Sequence, residues 1–380
     1  MAKLGEVCTI VSGSTPKTSV TSYWDGNIKW ITPAELNEDT FYIMDSVRHI
    51  TEEGKEKTGL SYLPTGTVIL SSRAPIGKTA IAGCEMCCNQ GFKNLICSDA
   101  VYNEYLYFFL KSKTDYLNSL GRGATFKEIS KSIVENIEIP LPEVNQQKEI
   151  AEKFKKLEQL ISLRKQQLAK LDELVKARFV EMFGDPVNNP MNYPKSQLGK
   201  VCDVRDGTHD SPEYYDVGYP LVTSKNVTGG KIDLSECNLI SEDDYKKICE
   251  RSKVDRGDII MPMIGTVGKP VIVNAEPMFA IKNVALIKFT PDSLVTNIYI
   301  KTLLESDYFD RAVLDKIRGG TQKFIALGDI RKLEIILPDL KHQQCFSAFV
   351  ERVDQQKQTV QQSLEKLELM KKARMQEYFG

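Results

Sequence analysis

The chain has 380 residues, of which 42% are hydrophobic and 27% charged, and its formal net charge is −1 at pH 7. This length predicts two or more domains, and the composition is typical of a globular protein rather than a disordered or fibrous one. A chain that held DNA alone by neutralising phosphates would usually be basic. Either this chain binds no nucleic acid, or partner subunits supply much of the phosphate contact.

The sequence also limits the compartment in which the chain works. It does not open with a basic segment and an apolar run, and no stretch approaches the roughly 20 apolar residues of a membrane span. Nine cysteines, an odd number spread over a long chain, fit a reducing compartment better than a disulfide framework. We therefore expect a cytoplasmic location.

The chain repeats itself with a period of about half its length. Pro142 matches Pro338, and Phe183 matches Phe379, at one constant offset. The fronts of the two copies match more faintly: LGEVCTIVSG from Leu4 corresponds to LGKVCDVRDG from Leu198. Such a period is too long for a solenoid, whose units run about 20 to 50 residues. We predict two domains of one type, joined head to tail with the pseudo-symmetry of a homodimer.

The second part of each copy has the heptad pattern of a long helix. Apolar residues recur at a and d positions of a heptad over more than four heptads. Arg164 and Arg178 interrupt the first seam, and Lys357 and Lys371 interrupt the second. The other copy is apolar at three of these positions, with Val360 matching Arg164, Ile161 matching Lys357 and Val175 matching Lys371. We predict that the two helices pair with each other as an antiparallel coiled coil. The seam and partner positions are Phe154, Leu157, Ile161, Leu168, Leu171, Val175, Val350, Val353, Val360, Leu364 and Leu367.

Each helix follows a proline-containing step and a Gln-Gln pair, IPLPEVNQQ from Ile139 and ILPDLKHQQ from Ile336. About 35 helical residues would form a rod about 50 Å long. A polar segment from Asp185, rich in Asn and Pro, reads as a linker.

The fronts combine short buried strands with helices. Apolar runs at 67–70, 94–97, 258–261 and 284–287 predict strands, and helices are predicted from Glu104 and Asn297. The predicted fold class is α+β: two tandem domains, each of mixed sheet and short helices, separated by the two long helices.

A possible nucleotide site is the sequence SRAPIGKT from Ser72, which resembles a phosphate-binding G-x-x-x-x-G-K-T loop. Ser72 stands where the first glycine is needed, and the second copy reads MIGTVGKP, without the hydroxyl that would hold magnesium. We interpret the segment as a glycine turn between two strands, with Lys78 available to a phosphate of another kind.

The cysteines and histidines do not form a recognisable metal or nucleophile motif. Cys84 and Cys87 form a C-x-x-C, but a zinc site needs four ligands. The second copy has no cysteine in the matching segment. None of the three histidines pairs with a Ser or Cys in a nucleophile arrangement. We predict no catalytic residue and no metal site.

Donor-rich loops recur in both copies and are the candidate binding sites. Their Gly residues let the backbone approach a ligand closely, and Arg, Gln and Lys are side chains that contact guanine, adenine and phosphate groups. The alternative is that they are solvated turns whose aromatic residues cap a sheet edge. The candidates in the first copy are Thr15, Lys17, Tyr23, Trp30, Arg73, Lys78, Arg122, Thr125 and Lys127. Those in the second copy are Arg205, Thr208, His209, Tyr214, Lys225, Lys269, Arg318, Thr321, Gln322 and Lys323.

The Gly-rich loops GRGATFKE and RGGTQKF, the proline steps, the Gln-Gln pairs and the duplicated heptad helix together resemble the specificity (S) subunit of type I restriction-modification enzymes. The resemblance covers essentially the whole chain, and its motifs are specific only in combination. The openings with GSTPKTS and DGTHDSP also resemble two different target-recognition domains of that family.

The resemblance implies that each front recognises one half of a bipartite double-stranded DNA sequence. It implies domains at 1–142 and 185–338, with helical spacers at 143–184 and 339–380 that set the distance between half-sites. The helices would dock two modification (M) subunits carrying S-adenosylmethionine, which methylate adenine at N6. Restriction (R) subunits with ATP and Mg²⁺ would join the full complex, and this chain itself would bind no cofactor and catalyse nothing. The alternative is a coiled-coil interaction scaffold without DNA specificity.

Overall fold

The computed structural model describes residues 1–37, 39–73, 75–121, 127–263, 269–313 and 324–380. It divides into two compact units, the first formed by Met1–Lys165 and Gln362–Gly380 and the second by Gln166–Gln361. Each unit therefore contains one front, the beginning of the long helix that follows it, and the end of the other long helix. Among these described residues, no helix is both long and apolar enough to cross a membrane.

The first unit contains two main sheets and a small strand pair. Its strands are β1 Ala2–Lys3, β2 Cys8–Ser12, β3 Trp24–Ile31, β4 Tyr42–Ile43, β5 Arg48–Ile50, β6 Val68–Ser71, β7 Thr79–Ala82, β8 Cys87–Cys88, β9 Phe92–Cys97 and β10 Glu138–Ile139. A five-stranded sheet has the order β2-β9-β6-β7-β4, a three-stranded sheet has the order β5-β3-β8, and β1 pairs with β10. Strands β3 and β8 run parallel.

The second unit repeats this topology, with four strands instead of five in the larger sheet and one additional two-stranded pair. Its strands are β11 Lys195–Gln197, β12 Asp203–Asp206, β13 Tyr219–Val222, β14 Val227–Thr228, β15 Lys231–Ile232, β16 Asn238–Ile240, β17 Ile259–Pro262, β18 Val271–Ile272, β19 Ala280–Ile281, β20 Val284–Lys288 and β21 Glu334–Ile336. The order β12-β20-β17-β18 matches β2-β9-β6-β7, and β16-β13-β19 matches β5-β3-β8. The parallel pair recurs as β13 with β19. The sequence repeat is therefore a repeat of fold.

Short helices cover the sheets. In the first unit the α-helices are Leu4–Val7, Glu52–Thr58, Asn103–Ser112, Thr114–Leu120 and Lys131–Glu135, with 3₁₀ turns at Thr21–Tyr23 and Pro33–Glu35. In the second they are Leu198–Val201, Glu242–Ser252, Asn297–Leu304, Asp307–Ala312 and Leu327–Lys332, with a 3₁₀ turn at Ser224–Asn226. All four predicted strands and both predicted helices are confirmed, because each is a buried apolar run that the core requires.

The two long helices are Val144–Phe183 and Leu340–Phe379, each of 40 residues. In the first unit Phe154 stacks on Phe379 at 5.6 Å and Lys165 approaches Glu368 at 3.9 Å, so the two segments run antiparallel. In the second unit Phe179 contacts Phe346 at 5.6 Å. Within each unit the predicted antiparallel pairing is confirmed.

Ion pairs neutralise the lysines that interrupt the heptad seam. Lys371 contacts Glu158 at 2.6 Å in the first unit, and Lys357 contacts Asp172 at 2.5 Å in the second. Most of the predicted seam is buried: Phe154, Leu157, Ile161, Val350, Val353, Val360 and Leu364. The rest is half-buried: Leu168, Leu171, Val175 and Leu367. The seam therefore accommodates these two lysines because an acidic residue of the facing segment lies within hydrogen-bonding distance of each ammonium group.

The start of each long helix is tied to its own front by one buried glutamine. The Gln147 side chain accepts a hydrogen bond from the Tyr102 backbone N–H at 2.8 Å and donates to the carbonyls of Ala100 and Pro142 at 2.9 and 2.8 Å. In the second unit Gln343 makes the same three bonds, to the Thr296 N–H and the carbonyls of Leu294 and Pro338. Only one residue of each Gln-Gln pair makes these bonds, Gln147 of the first and Gln343 of the second.

Candidate nucleic-acid interface

Loops gather where several strands of the first unit end together. We call residues 13–17, 32–36, 72–73, 75–78, 89–91 and 127–129 the first loop edge. Backbone hydrogen bonds connect the loops, from Ser14 N–H to Cys88 O at 3.0 Å and from Ser72 N–H to Gly91 O at 2.7 Å. A Cβ at Gly13 would lie 1.9 Å from the Asn89 carbonyl oxygen, so only glycine fits there. The fold thus brings together segments that are distant in sequence.

Lys78 lies in the hairpin turn between β6 and β7, which pair antiparallel. Its ammonium donates to the carbonyls of Leu36 at 2.6 Å and Pro33 at 3.3 Å, and the side chain is half-buried. A phosphate-binding loop connects a strand to a helix, whereas this segment connects two strands. The turn interpretation is confirmed, and Lys78 holds the 33–36 turn in place.

Arg73 and Lys93 share one carboxylate at the first loop edge. Arg73 Nε contacts Glu128 Oε2 at 2.9 Å and Lys93 Nζ contacts Glu128 Oε1 at 3.4 Å. Partial burial opposes ionisation of Glu128, but the hydrogen bond from Arg73 and the two positive charges hold its pKa below the usual value. Arg73 is therefore already paired, whereas the neighbouring Lys127 is exposed at the surface.

The aromatic candidates of the first unit serve mainly to support the loops. Trp30 is 2% exposed, and its Nε1 donates to the Ser14 carbonyl at 3.0 Å. Tyr23 is half-buried and packs with Trp24 and Trp30 in one apolar cluster. The predicted contact of Trp30 with DNA does not match its position in this structure, because burial leaves it no free surface.

Thr15 and Lys17 lie on the exposed part of the first loop edge. The Thr15 hydroxyl hydrogen-bonds the Gln90 side-chain carbonyl oxygen. Gln90 and Lys17 are both exposed. Gln90 was absent from the sequence candidates, although it precedes Gly91, which leads into the buried strand β9.

The second unit has a matching second loop edge, formed by residues 207–211, 223–226, 269 and 282–283. Its Thr208 N–H donates to Ile281 O at 3.0 Å, as Ser14 N–H does to Cys88 O. Its Lys282 N–H donates to Val222 O at 2.9 Å, as Asn89 N–H does to Ile31 O at 3.0 Å in the first unit. Gly207 repeats the close approach of Gly13. Thr208 thus takes the position of Ser14, His209 that of Thr15, and Asn283 that of Gln90.

His209 is the centre of a polar network at this edge. Its Nδ1 lies 2.8 Å from Asn283 Oδ1 and its Nε2 lies 2.9 Å from Asp206 Oδ2. Arg251 pairs with the other oxygen of Asp206. A protonated imidazole donates through both nitrogens, so two acceptors favour the cation. The hydrogen bond to Asn283, followed by that to Asp206, raises the pKa of His209 above its usual value.

We expect His209 to titrate above the ordinary histidine value of about 6.5. Replacing Asp206 with Asn should lower the pKa of His209, because the neutral amide withdraws the carboxylate charge that stabilises the imidazolium. Nuclear magnetic resonance titration of the imidazole protons would measure both values, with His209→Gln assigning the resonance among the three histidines. An unshifted His209 in the unchanged protein would contradict this network.

The other second-copy candidates differ in their surroundings. Arg205 is occupied by Asp203, through Nε at 2.8 Å and Nη2 at 2.6 Å, and by the Arg251 carbonyl at 2.9 Å. Lys225, Lys269 and Tyr214 are exposed. Lys225 is the middle residue of its 3₁₀ turn, where the first unit has Ala34, so the two edges present different chemistry on one framework.

The Gly-rich loops that precede the long helices were predicted to bind DNA. Of their candidates, Lys127 is described. The candidates outside the described residues are Arg122, Thr125, Arg318, Thr321, Gln322 and Lys323. A Cβ at Gly121 would lie 2.9 Å from Ile76 and 3.2 Å from Lys127, so the first of these loops begins and ends beside the β6–β7 turn.

The C-x-x-C cysteines lie apart from one another in the first unit. Cys87 packs in the cluster with Trp24 and Trp30, whereas Cys84 packs against a different cluster that contains Phe92 and Cys88, the neighbour of Cys87 in its strand. Adjacent strand residues face opposite sides of a sheet, which explains the separation. Across the parts of the chain that the structure describes, no group of three or more His, Cys, Asp or Glu is placed to hold a metal ion.

The long helices expose apolar side chains outside the seam. These are Leu160, Leu163, Leu369 and Met370 in the first unit and Leu174 and Val180 in the second. The heptad pattern does not indicate them because they fall outside the a and d positions. Side chains this exposed are available for contact with another protein.

Comparison with known proteins shows the family to which this chain belongs. A family model described as the type I restriction modification DNA specificity domain matches residues 1–173 and again residues 190–369. This chain belongs to that family. It is a DNA-recognition subunit of type I restriction-modification enzymes and is not itself a catalytic subunit.

The curated relatives of this DNA specificity subunit are themselves specificity subunits. The chain is 30% identical to that of the type I restriction enzyme MjaIX of Methanocaldococcus jannaschii, over 92% of this chain and 85% of the relative. It is 22% identical to that of EcoKI of Escherichia coli, over 67% and 58% of the two chains. These relatives give no support to a scaffold without DNA specificity.

Solved structures share the fold of this specificity subunit. The crystal structure of the type I restriction-modification S subunit from M. genitalium matches with a TM-score of 0.58 at 14% identity, covering 100% of this chain and 95% of that one. A chain from a study of complex assembly and conformational transition of the type I system matches with a TM-score of 0.64 at 18% identity, covering 100% and 96%. The predicted α+β fold with two tandem domains is confirmed.

Proposed function

We propose that each loop edge reads one half of a bipartite DNA sequence and that the long helices recruit the modification subunits. The observation that carries this proposal is the pair of matched loop edges. Their backbone hydrogen bonds are equivalent, but Thr15, Gln90 and Ala34 are replaced by His209, Asn283 and Lys225. One framework with two sets of side chains suits two readers of different half-sites.

Phosphate contacts from this chain alone would be modest. The exposed cations of the loop edges include Lys17, Lys127, Lys225 and Lys269, whereas Arg73 and Arg205 are already paired with carboxylates. Phosphate contacts dominate the affinity of most DNA-binding proteins. We therefore propose that partner subunits supply much of the phosphate contact, in keeping with the net charge of −1.

The apolar helix surfaces are the proposed docking sites for two modification subunits. Leu369 and Leu160 represent this surface in the first unit, and Leu174 and Val180 represent it in the second. Each unit has one such apolar surface, which favours one docked partner on each unit. S-adenosylmethionine would be bound by those subunits, and ATP and Mg²⁺ by the restriction subunits.

Methylome sequencing of a host that expresses this chain with its modification subunits tests the function. We expect one bipartite motif with unlike halves and adenine methylated at N6. In gel shifts, the complex should prefer duplexes carrying that motif, and the chain without modification subunits should bind more weakly. A methylome without any bipartite motif would reject the proposal.

We further propose that the helices set the number of unread base pairs between the half-sites. Each helix continues across the boundary between the units, after Lys165 and before Gln362. Inserting one heptad into both helices at these points keeps the seam in register and adds about 10 Å of helix. We expect the spacer in the methylated motif to lengthen by about three base pairs.

The matched control for this prediction inserts seven polar residues into the linker at residues 185–194, which lies outside both helices. That variant should keep the original spacer. An unchanged spacer in the doubly extended variant would show that the helices do not set the distance.

A further inference from the structure

One amide side chain occupies the same position on both loop edges. Gln90 follows Asn89, whose N–H donates to Ile31 O at 3.0 Å, and Asn283 follows Lys282, whose N–H donates to Val222 O at 2.9 Å. Asn283 directly precedes the first residue of the central strand β20, and Gln90 is separated from the first residue of β9 by Gly91 alone. The two units therefore present an amide from the same point of the framework.

Each amide is oriented by the residue that follows the loop serine or threonine. The Thr15 hydroxyl hydrogen-bonds Gln90 Oε1, and His209 Nδ1 lies 2.8 Å from Asn283 Oδ1. In both units the amide oxygen is the bonded atom, although the orienting groups, a hydroxyl and an imidazole, differ. The NH₂ group takes no part in this contact, and the oxygen keeps a second lone pair.

An amide held in this way can form two hydrogen bonds with adenine. In the major groove adenine offers the N7 acceptor and the N6 amino donors, which match the NH₂ and the carbonyl oxygen of Gln or Asn. Gln90 is exposed and Asn283 is half-buried, so both can reach a ligand at the surface. Among the residues that the structure describes, neither side chain makes another hydrogen bond that would fix its orientation.

We propose that Gln90 and Asn283 are specificity-determining residues, each reading one adenine–thymine pair in its own half-site. Thr15 and His209 are positioning residues, which hold the amide oxygen and thereby fix which edge of the amide faces the base. This inference rests on the proposed reading of bipartite DNA. Beyond that function, it names one residue on each loop edge and the base that this residue recognises.

The test uses the complex of the full chain with its modification subunits and the motif found in the methylome. Gln90→Ala should reduce the specificity of the complex at one base pair of one half-site. The affinity ratio between the motif duplex and duplexes changed at that base pair should fall about 5- to 150-fold. Asn283→Ala should do the same in the other half-site only. Binding to the motif duplex and to duplexes changed at single base pairs measures both effects.

The positioning role has its own readout. Thr15→Val removes the hydroxyl at almost constant volume and should reduce discrimination at the same base pair as Gln90→Ala. Thr15→Ser keeps the hydroxyl and should retain discrimination. The double variant Thr15→Val with Gln90→Ala should discriminate no worse than Gln90→Ala alone, because the two residues act through one contact.

Amide controls come from exposed residues away from the loop edges. Asn27→Ala in the first unit and Asn188→Ala in the second should leave the motif unchanged. Thermal unfolding of every variant checks that the fold is retained. These controls separate a lost base contact from general damage to the chain.

Three outcomes would overturn the inference. Equal weakening on all duplexes would make the amides phosphate contacts. Unchanged discrimination would place base reading elsewhere, and an affected pair of guanine and cytosine would remove the adenine assignment. If the unchanged complex gives no bipartite motif, the proposed function fails instead, so the two failures are distinguishable.

Discussion

Replacing Phe379 with Ala should lower the free energy of unfolding of the first unit by about 3–5 kcal/mol. Phe379 is 2% exposed and contacts Phe154, Tyr105 and Phe109 with ring centroids 5.2 to 5.8 Å apart. Removing the ring leaves a cavity between the end of one long helix and the front of the unit. Urea denaturation followed by circular dichroism would measure the loss.

Leu369→Ala is the matched control for this prediction because it lies on the same helix but is 67% exposed. Its stability should change by no more than about 0.5 kcal/mol. It should instead weaken recruitment of the modification subunit, measured by co-purification. If Phe379→Ala were as stable as the unchanged chain, the ring would not be part of the core.

Replacing Gln147 with Leu should destabilise the first unit by about 2–4 kcal/mol. The substitution keeps the side-chain volume but removes the partners of the Tyr102 N–H and the Ala100 and Pro142 carbonyls. A partly buried backbone group left without a partner costs about 1–3 kcal/mol. Hydrogen exchange should also accelerate at the start of the helix, because this glutamine fastens it to the front.

The neighbouring residue provides the comparison. Gln146 is exposed, so Gln146→Leu should leave both stability and exchange nearly unchanged. In the second unit the order within the pair is reversed, and Gln343→Leu should be harmful whereas Gln344→Leu should be tolerated. Equal effects for the two members of a pair would contradict the anchoring role.

The sequence alone predicts elements whose cause is local. The strands at 67–70 and 284–287 and the long helices follow from apolar runs and heptads, which the chain displays residue by residue. The three-stranded sheets escaped prediction. Strand β8 has only two residues, Cys87–Cys88, and exists through its parallel pairing with β3, far away in the chain.

In the candidate site, too, contacts between residues close in sequence were predictable and contacts between distant residues were not. Nothing near Lys78 in sequence reveals that the carbonyls of Pro33 and Leu36 surround its ammonium. Arg205 is different, because Asp203 stands two residues before it, and alternate residues of a strand share a face. That spacing could have indicated the pairing from the sequence.

The assignment of Trp30 as a DNA contact failed for a physical reason. An aromatic residue in a donor-rich segment suits both a ligand surface and a core, and the sequence does not show which side the strand turns inward. Trp24 and Trp30 are six residues apart in β3, and alternate residues of a strand share a face. Both tryptophans therefore reach the same cluster, with ring centroids 5.2 Å apart.

Each compact unit is completed by the end of the long helix that begins in the other copy: Phe379 enters the core of the first unit, and Phe183 that of the second. A protease that cut the linker at residues 185–194 would therefore produce two fragments, each of which contributes residues to the cores of both units. Neither fragment could diffuse away without exposing buried aromatic rings. The nicked molecule should persist as a non-covalent complex, so cleavage there would not release an independent half.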